Sequence, residues 1–145
     1  MISENKMKHS LAVARKCYEL SSKITSNEAE RFNYFVMGFL HDIGYENGEA
    51  LGHSLRGYEA LLNFGCADNE YVKAIKNHGT PLSKEEITVP YLILVYSDLT
   101  TDYLGNSVTI EERLRSIKAR YGGNSKQLQN AHEQVEILKS YEKEV

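Results

Sequence analysis

The dyad His41-Asp42 closes an apolar helical run, Phe39-Leu40-His41-Asp42-Ile43-Gly44. An imidazole and a carboxylate set among Phe, Leu and Ile are costly to bury unless something compensates them. A fold that buries this segment must therefore bring partners to both groups. His9, His53 and His78 also fall at helix ends or on apolar helical faces. Asp98 sits inside the run Tyr91-Leu92-Ile93-Leu94-Val95-Tyr96-Ser97-Asp98-Leu99. Each has an ordinary explanation alone: a hydrogen-bonded core histidine, a solvated helix end, half of a buried ion pair. One shared metal centre explains all six together.

The pattern of apolar residues predicts an all-α chain, a compact single-domain bundle of about six or seven helices. Residues 7–24 carry two stripes, Met7-Leu11-Ala14-Tyr18 and His9-Val13-Cys17-Leu20-Ile24, so His9 is expected to point inward. Thr25-x-x-Glu28 or Asn27-x-x-Glu30 offers a capping box for a second helix bearing Phe32, Phe35, Val36, Phe39, Leu40 and Ile43, with Gly44 as its stop. Ser54 is the expected cap of a third helix ended by Gly65. Asp68 is the expected cap of a fourth, in which Tyr71, Ile75 and His78 share a face before Gly79 and Pro81. Pro90 to about Thr101 suits a buried strand or a buried helix; helix is preferred because no second strand candidate exists to pair with it. Thr109-x-x-Glu112 opens a further helix closed by Gly122-Gly123, and the last runs from about Ser125 with Leu128, Ala131, Val135 and Leu138 as its seam.

Composition narrows the function classes. With 145 residues the chain is expected to form one domain, its motif region at about 7–101 and its C-terminal helices at about 109–143. A net charge of −3 gives no electrostatic footprint for nucleic acid or an anionic membrane. No apolar stretch approaches the roughly 20 residues that cross a bilayer. Met1-Ile2-Ser3-Glu4-Asn5-Lys6 lacks the apolar core of a signal peptide, so a cytoplasmic location is expected. Cys17 and Cys66 fit no metal-ligand spacing and are expected to be free thiols.

Adjacent His41 and Asp42 can place an imidazole and a carboxylate on one ion. His9 and Asp98 would complete that set, and His53 and His78 would serve a second ion with Asp42 bridging. Mixed histidine and carboxylate ligation suits Mn²⁺, Fe²⁺ or Co²⁺ better than Zn²⁺, with Mg²⁺ also open, and the absence of cysteine ligands argues against structural zinc.

The order His9 … His41-Asp42 … His53 … His78 … Asp98 resembles the signature of the HD-domain superfamily of metal-dependent phosphohydrolases. The expanded histidine set is similar to binuclear members and to the bacterial enzymes that split diadenosine tetraphosphate symmetrically. Two departures stand out. The dyad is followed by Ile43-Gly44-Tyr45, where many relatives have lysine in third place, and His78 is preceded by Asn77, so the consecutive histidines of some cyclic-dinucleotide phosphodiesterases are missing. The later stretch with Glu111-Glu112-Arg113-Leu114 looks like small bacterial HD proteins.

The resemblance implies hydrolysis of a phosphoester or phosphoanhydride in a small nucleotide or dinucleotide, with His41 and Asp42 in the catalytic role and one or two divalent ions as cofactor. Arg56, one helical turn after His53, is the expected phosphate clamp, because its planar fork matches phosphate oxygens. Tyr45 or Tyr96 could stack on a base, and Glu46 and Asn47 could reach a water or a substrate hydroxyl. His132 is read as structural or exposed. A non-catalytic metal- or nucleotide-sensing module and a structural, protein-binding bundle are the competing readings. A homodimer through the apolar terminal helix is compatible with either.

Overall fold

The computed structural model describes residues 4–44 and 52–141, and it is helical throughout. The elements are α1 (Glu4–Ser21), α2 (Glu28–Leu40), α3 (His53–Asn63), α4 (Glu70–Asn77), a 3₁₀ turn at Lys84–Glu86, α5 (Val89–Leu99), α6 (Ile110–Tyr121) and α7 (Lys126–Tyr141). Among the described residues there is no strand, only an isolated antiparallel bridge between Thr101 and Ser107. No described helix is long and apolar enough to cross a membrane. Tyr45, Glu46 and Asn47 lie outside the described residues.

The ambiguous segment is a helix, α5, and it is the central one. Thr88 Oγ1 accepts from the Tyr91 amide at 3.3 Å, and Pro90 occupies the first turn, where its missing N–H is harmless. Pro90, Tyr91, Ile93, Leu94, Val95, Ser97 and Leu99 are all buried, because α1, α2, α4, α6 and α7 pack around this helix. Packed on most sides, the helix has no polar residue before Ser97 and so no polar face by which periodicity could identify it.

α1 and α2 meet backbone to backbone. A β-carbon on Gly38 would stand 2.7 Å from Ala14 Cα, closer than side chains ever approach, so the crossing requires glycine there. The contact also selects which face of α2 turns inward: Tyr34, Met37 and Gly38 are buried, whereas Phe32 is 60% exposed and its ring continues a stack with Phe35 and Phe39. The inward face thus lies away from the phenylalanine stripe that the sequence emphasises. One turn beyond the crossing, His9 and His41 face each other with ring centroids 5.2 Å apart.

Several boundaries differ from expectation for local reasons. α1 spans Glu4–Ser21 instead of 7–24; Ser21 and Ser22 hydroxyls donate to the Tyr18 and Glu19 carbonyls, the helix ends, and Ile24 is left 55% exposed. α2 ends at Leu40, one turn before Gly44. Ser54 is not a cap but a buried residue inside α3, which starts after Gly52 in the left-handed region (φ 78°). Asn69, not Asp68, caps α4, its side chain accepting from the Tyr71 and Val72 amides. The capping boxes fare better: Asn27 accepts from Glu30, and Thr109 and Glu112 cap α6 reciprocally.

Candidate metal centre

The six residues singled out from the sequence come from five places in the chain and meet in one nest. His9 projects from α1, His41 and Asp42 follow α2, and His53 is the first residue of α3. His78 follows α4, and Asp98 lies one residue before the end of α5. Asp98 Oδ1 is 2.9 Å from His9 Nε2 and 3.5 Å from His41 Nε2. Asp42 presents its two oxygens to opposite sides: Oδ2 lies 3.4 Å from His41 Nε2 and 3.7 Å from His9 Nε2, and Oδ1 lies 3.2 Å from His53 Nε2 and 3.5 Å from His78 Nε2. The His53 and His78 Nε2 atoms are 2.9 Å apart. Two neighbouring ligand atoms on an octahedral ion with bonds of about 2.1 Å stand about 3.0 Å apart, so these separations suit a shared cation.

The histidines are oriented by the backbone. His41 Nδ1–H donates to the Gly38 carbonyl at 2.6 Å, His78 Nδ1–H to Ile75 at 2.7 Å, and His9 Nδ1–H to Asp102 at 2.8 Å. With Nδ1 carrying the proton, Nε2 is the atom turned to the nest, the arrangement by which carbonyl partners fix metal-binding imidazoles. His41 is fully buried, and among the described residues its Nε2 has no hydrogen-bond partner. A buried bare lone pair is costly, and a cation is what satisfies it. Two ligand groups emerge among the described residues, His9-His41-Asp98 and His41-Asp42-His78, each with its donor atoms within 4.8 Å of one another. The donor set fits a divalent ion.

Electrostatics point the same way. Burial alone would push the Asp42 carboxyl up, but His41, His53, His78 and Lys6 outweigh it and hold it well below the usual range. Asp98 likewise resists the upward pull of burial through His41 and His9 and stays well below. Burial pushes His9 down, yet its bond to Asp98 and the charges of Asp98 and Asp42 carry it above its ordinary value. A divalent cation binding here would compete with protons for these same atoms.

The nest opens into a cavity of about 390 Å³, bordered on the far side by Tyr103, Arg113, Ile117 and Tyr121, and by Lys126, Gln127, Asn130 and Gln134 of α7. Arg56 is not among its bordering residues; its Nε donates to the Gly44 carbonyl at 3.1 Å. His132 is exposed, Tyr96 is 43% exposed and outside this cavity, and both cysteines are free. Three contributors escaped the sequence reading. Lys6 Nζ lies 3.5 Å from Asp42 Oδ2. Gln134 Nε2 donates to the His78 carbonyl at 2.7 Å and so ties α7 to the site. Arg113 lies in the cavity wall, and the available signal was its spacing, three residues after Ile110 and four before Ile117, on the inward seam of α6.

Comparison with known proteins agrees with this geometry. The HD domain family model matches residues 7–120, most of the chain. An uncharacterized protein of the archaeon Methanocaldococcus jannaschii is 27% identical over 139 residues, covering 86% of this chain and 82% of its own length. No solved structure matches significantly. The chain belongs to the HD domain family, the superfamily of metal-dependent phosphohydrolases.

Proposed function

We propose that this protein is a metal-dependent phosphohydrolase that cleaves a phosphoester or phosphoanhydride bond of a small nucleotide. The observation that carries the reading is the fully buried His41 Nε2, which has no hydrogen-bond partner among the described residues and lies 3.4 Å from Asp42 Oδ2 and 3.5 Å from Asp98 Oδ1. His9, His41, Asp42 and Asp98 would hold one divalent ion, and Asp42, His53 and His78 a second. Their imidazole and carboxylate donors favour Mn²⁺, Fe²⁺ or Co²⁺ over Zn²⁺. Such an ion supplies Lewis acidity, which makes water a competent nucleophile at neutral pH and draws charge from a phosphoryl oxygen.

The chain's own groups do the rest. Asp42, kept ionised by its surroundings, orients water through its oxygens, and its position between the two halves of the nest ties them together. With a single ion held on the His9 side, His53, whose Nε2 is 3.2 Å from Asp42 Oδ1, would serve as a proton acceptor beside the water. With two, it becomes a ligand. Among the described residues, Lys6, Lys76, Arg113 and Lys126 border the cavity alongside Asp42 and Asp98, a charge balance that favours a phosphate-bearing ligand. Gln127 and Asn130 border the cavity with amides suited to a base or sugar. A cavity of about 390 Å³ accommodates a small molecule rather than a duplex.

The test combines metal content with turnover. Protein purified without a metal-binding tag is expected to carry one or two equivalents of Mn or Fe per chain and to release product from a nucleotide panel. D42N and H41A should lose about a hundredfold to a thousandfold in kcat, the cost of removing a transition-state electrostatic contributor. Stoichiometric metal with no turnover of any phosphoester would overturn the enzymatic reading and leave a sensing module.

A further inference from the structure

We infer that Arg113 is the residue that recognises the ligand's phosphate group in this cavity, an inference that rests on the phosphohydrolase reading and sharpens it. Among the described residues, four buried side-chain atoms lack a hydrogen-bond partner: His41 Nε2, Ser97 Oγ, and Nε and Nη1 of Arg113. Three of the four belong to the nest or to the cavity above it. The His41 atom is a lone pair and is satisfied by a cation. The Arg113 atoms are N–H donors on a permanent cation, and they are satisfied only by acceptors, best of all by an anion.

Arg113 is 8% exposed, so its charge is withdrawn from water. Its nearest carboxylate is Asp98, whose Oδ1 is 3.9 Å from Nη2, beyond hydrogen-bonding range. That oxygen is already bonded to His9 Nε2 at 2.9 Å and faces His41 at 3.5 Å. Asp98 therefore serves the metal nest, and Arg113 is compensated only in part by it and by the more distant charge of Asp102. A buried guanidinium without full pairing is expensive, and a phosphate in the cavity beside Arg113 would offset its charge. A cation filling the nest would engage Asp98 and leave Arg113 still more dependent on that anion.

The side chain is also held for the task. Arg113 lies over the Tyr103 ring at 4.5 Å, and the same ring meets the Arg120 guanidinium at 4.2 Å. Arg113 stands on α6 one turn before Ile117, and both border the cavity. A guanidinium fixed by stacking loses little freedom on meeting a phosphate. The ligand class is a compound carrying a phosphate group, placed so that the phosphate lies between Arg113 and the nest.

The experiment is a titration of the purified protein with inorganic phosphate, and with a nucleoside monophosphate, by calorimetry. The Arg113 Nε–H resonance is followed by NMR in the parent protein. Saturating phosphate is expected to shift that resonance. R113Q should weaken phosphate binding by about tenfold to a hundredfold, and R113K should recover only part of it. R113Q should unfold no more easily than the parent, because it removes a half-compensated charge. An unmoved Arg113 resonance, or equal phosphate affinity in parent and R113Q, would overturn the inference. So would a ligand-free R113Q that is strongly destabilised with phosphate affinity intact, since that is the signature of a purely structural partner of Asp98. These readouts concern binding alone, so a failure to find turnover would strike the hydrolase reading and leave the role of Arg113 separately decided.

Discussion

Gly44→Ala tests how the second half of the nest is held. A β-carbon on Gly44 would stand 2.0 Å from the His53 carbonyl oxygen and 2.4 Å from the Gly57 amide nitrogen, where ordinary contact begins at 3.4 Å. Both obstructing atoms are backbone, so no side chain can swing aside. The turn after α2 and the first turn of α3 must separate by more than an ångström. Overpacking costs typically about 1–3 kcal/mol, and a backbone overlap this deep belongs at the upper end, about 3 kcal/mol. His53 carries the struck carbonyl, so its Nε2 should move away from Asp42 Oδ1, now 3.2 Å distant. Gly57→Ala is the internal control. Its β-carbon would meet Gly44 N at 3.2 Å and Ile43 Cγ2 at 3.3 Å, a matter of tenths, and a helix-interior glycine gains about 1 kcal/mol on becoming alanine. The expected outcome is a strongly lowered urea midpoint and reduced metal content for G44A, with G57A within about 1 kcal/mol of the parent. A G44A protein with the parent's midpoint and full metal content would refute the argument that this contact seats His53.

Three further outcomes follow from the same structure. Chelation should lower the unfolding temperature by roughly 10 °C when the parent is measured at about a hundred times the metal's Kd, and Mn²⁺ should restore it; a scan indifferent to chelator would contradict the metal nest. Gln134→Ala removes the donor to the His78 carbonyl (2.7 Å) and leaves that buried oxygen short of a partner, so urea denaturation should show a loss of about 1–3 kcal/mol, and a neutral result would mean water replaces the amide. Cys17 is fully buried, and burial pushes its thiol up to about 12, whereas Cys66 is exposed. An aromatic disulfide reagent at pH 8 should therefore label a single thiol in the native protein and both in denaturant, and fast labelling of both would show that the α1–α2 contact opens readily.

The metal nest could be read from the sequence because each of its members is locally out of place. A histidine or aspartate in an apolar run, as at His41, Asp42 and Asp98, or at a helix end or on an apolar helical face, as at His9, His53 and His78, needs a reason, and six together need one in common. Arg113 obeys the same rule but was hidden by its neighbours. Glu111, Glu112 and Arg115 make α6 look like a charged surface helix, although Arg113 shares the inward seam with Ile110 and Ile117. Arg56 shows the opposite effect. Its spacing from His53 is plain in the sequence, and the structure sets its Nε on the Gly44 carbonyl, with Nη1 3.2 Å from where a β-carbon on the cavity-bordering Gly52 would stand.

That difference follows from how the nest is built. His41 and His78 lie just past the ends of α2 and α4, His53 opens α3, and Asp98 is one residue from the end of α5. The last carbonyls of a helix have no partner within it, and here two of them find one in an imidazole three residues on: Gly38 accepts from His41, and Ile75 from His78. Each pairing spends Nδ1–H on the backbone and turns Nε2 away from the helix end. A histidine three residues beyond an orphan carbonyl is thus both a cap for its helix and a ligand presented to whatever lies past it. The histidine spacing could show which residues belong together, because capping is local. Which helix ends converge depends on the Gly38–Ala14 and Gly44–His53 approaches, and those are tertiary contacts made by residues with no side chain to announce them.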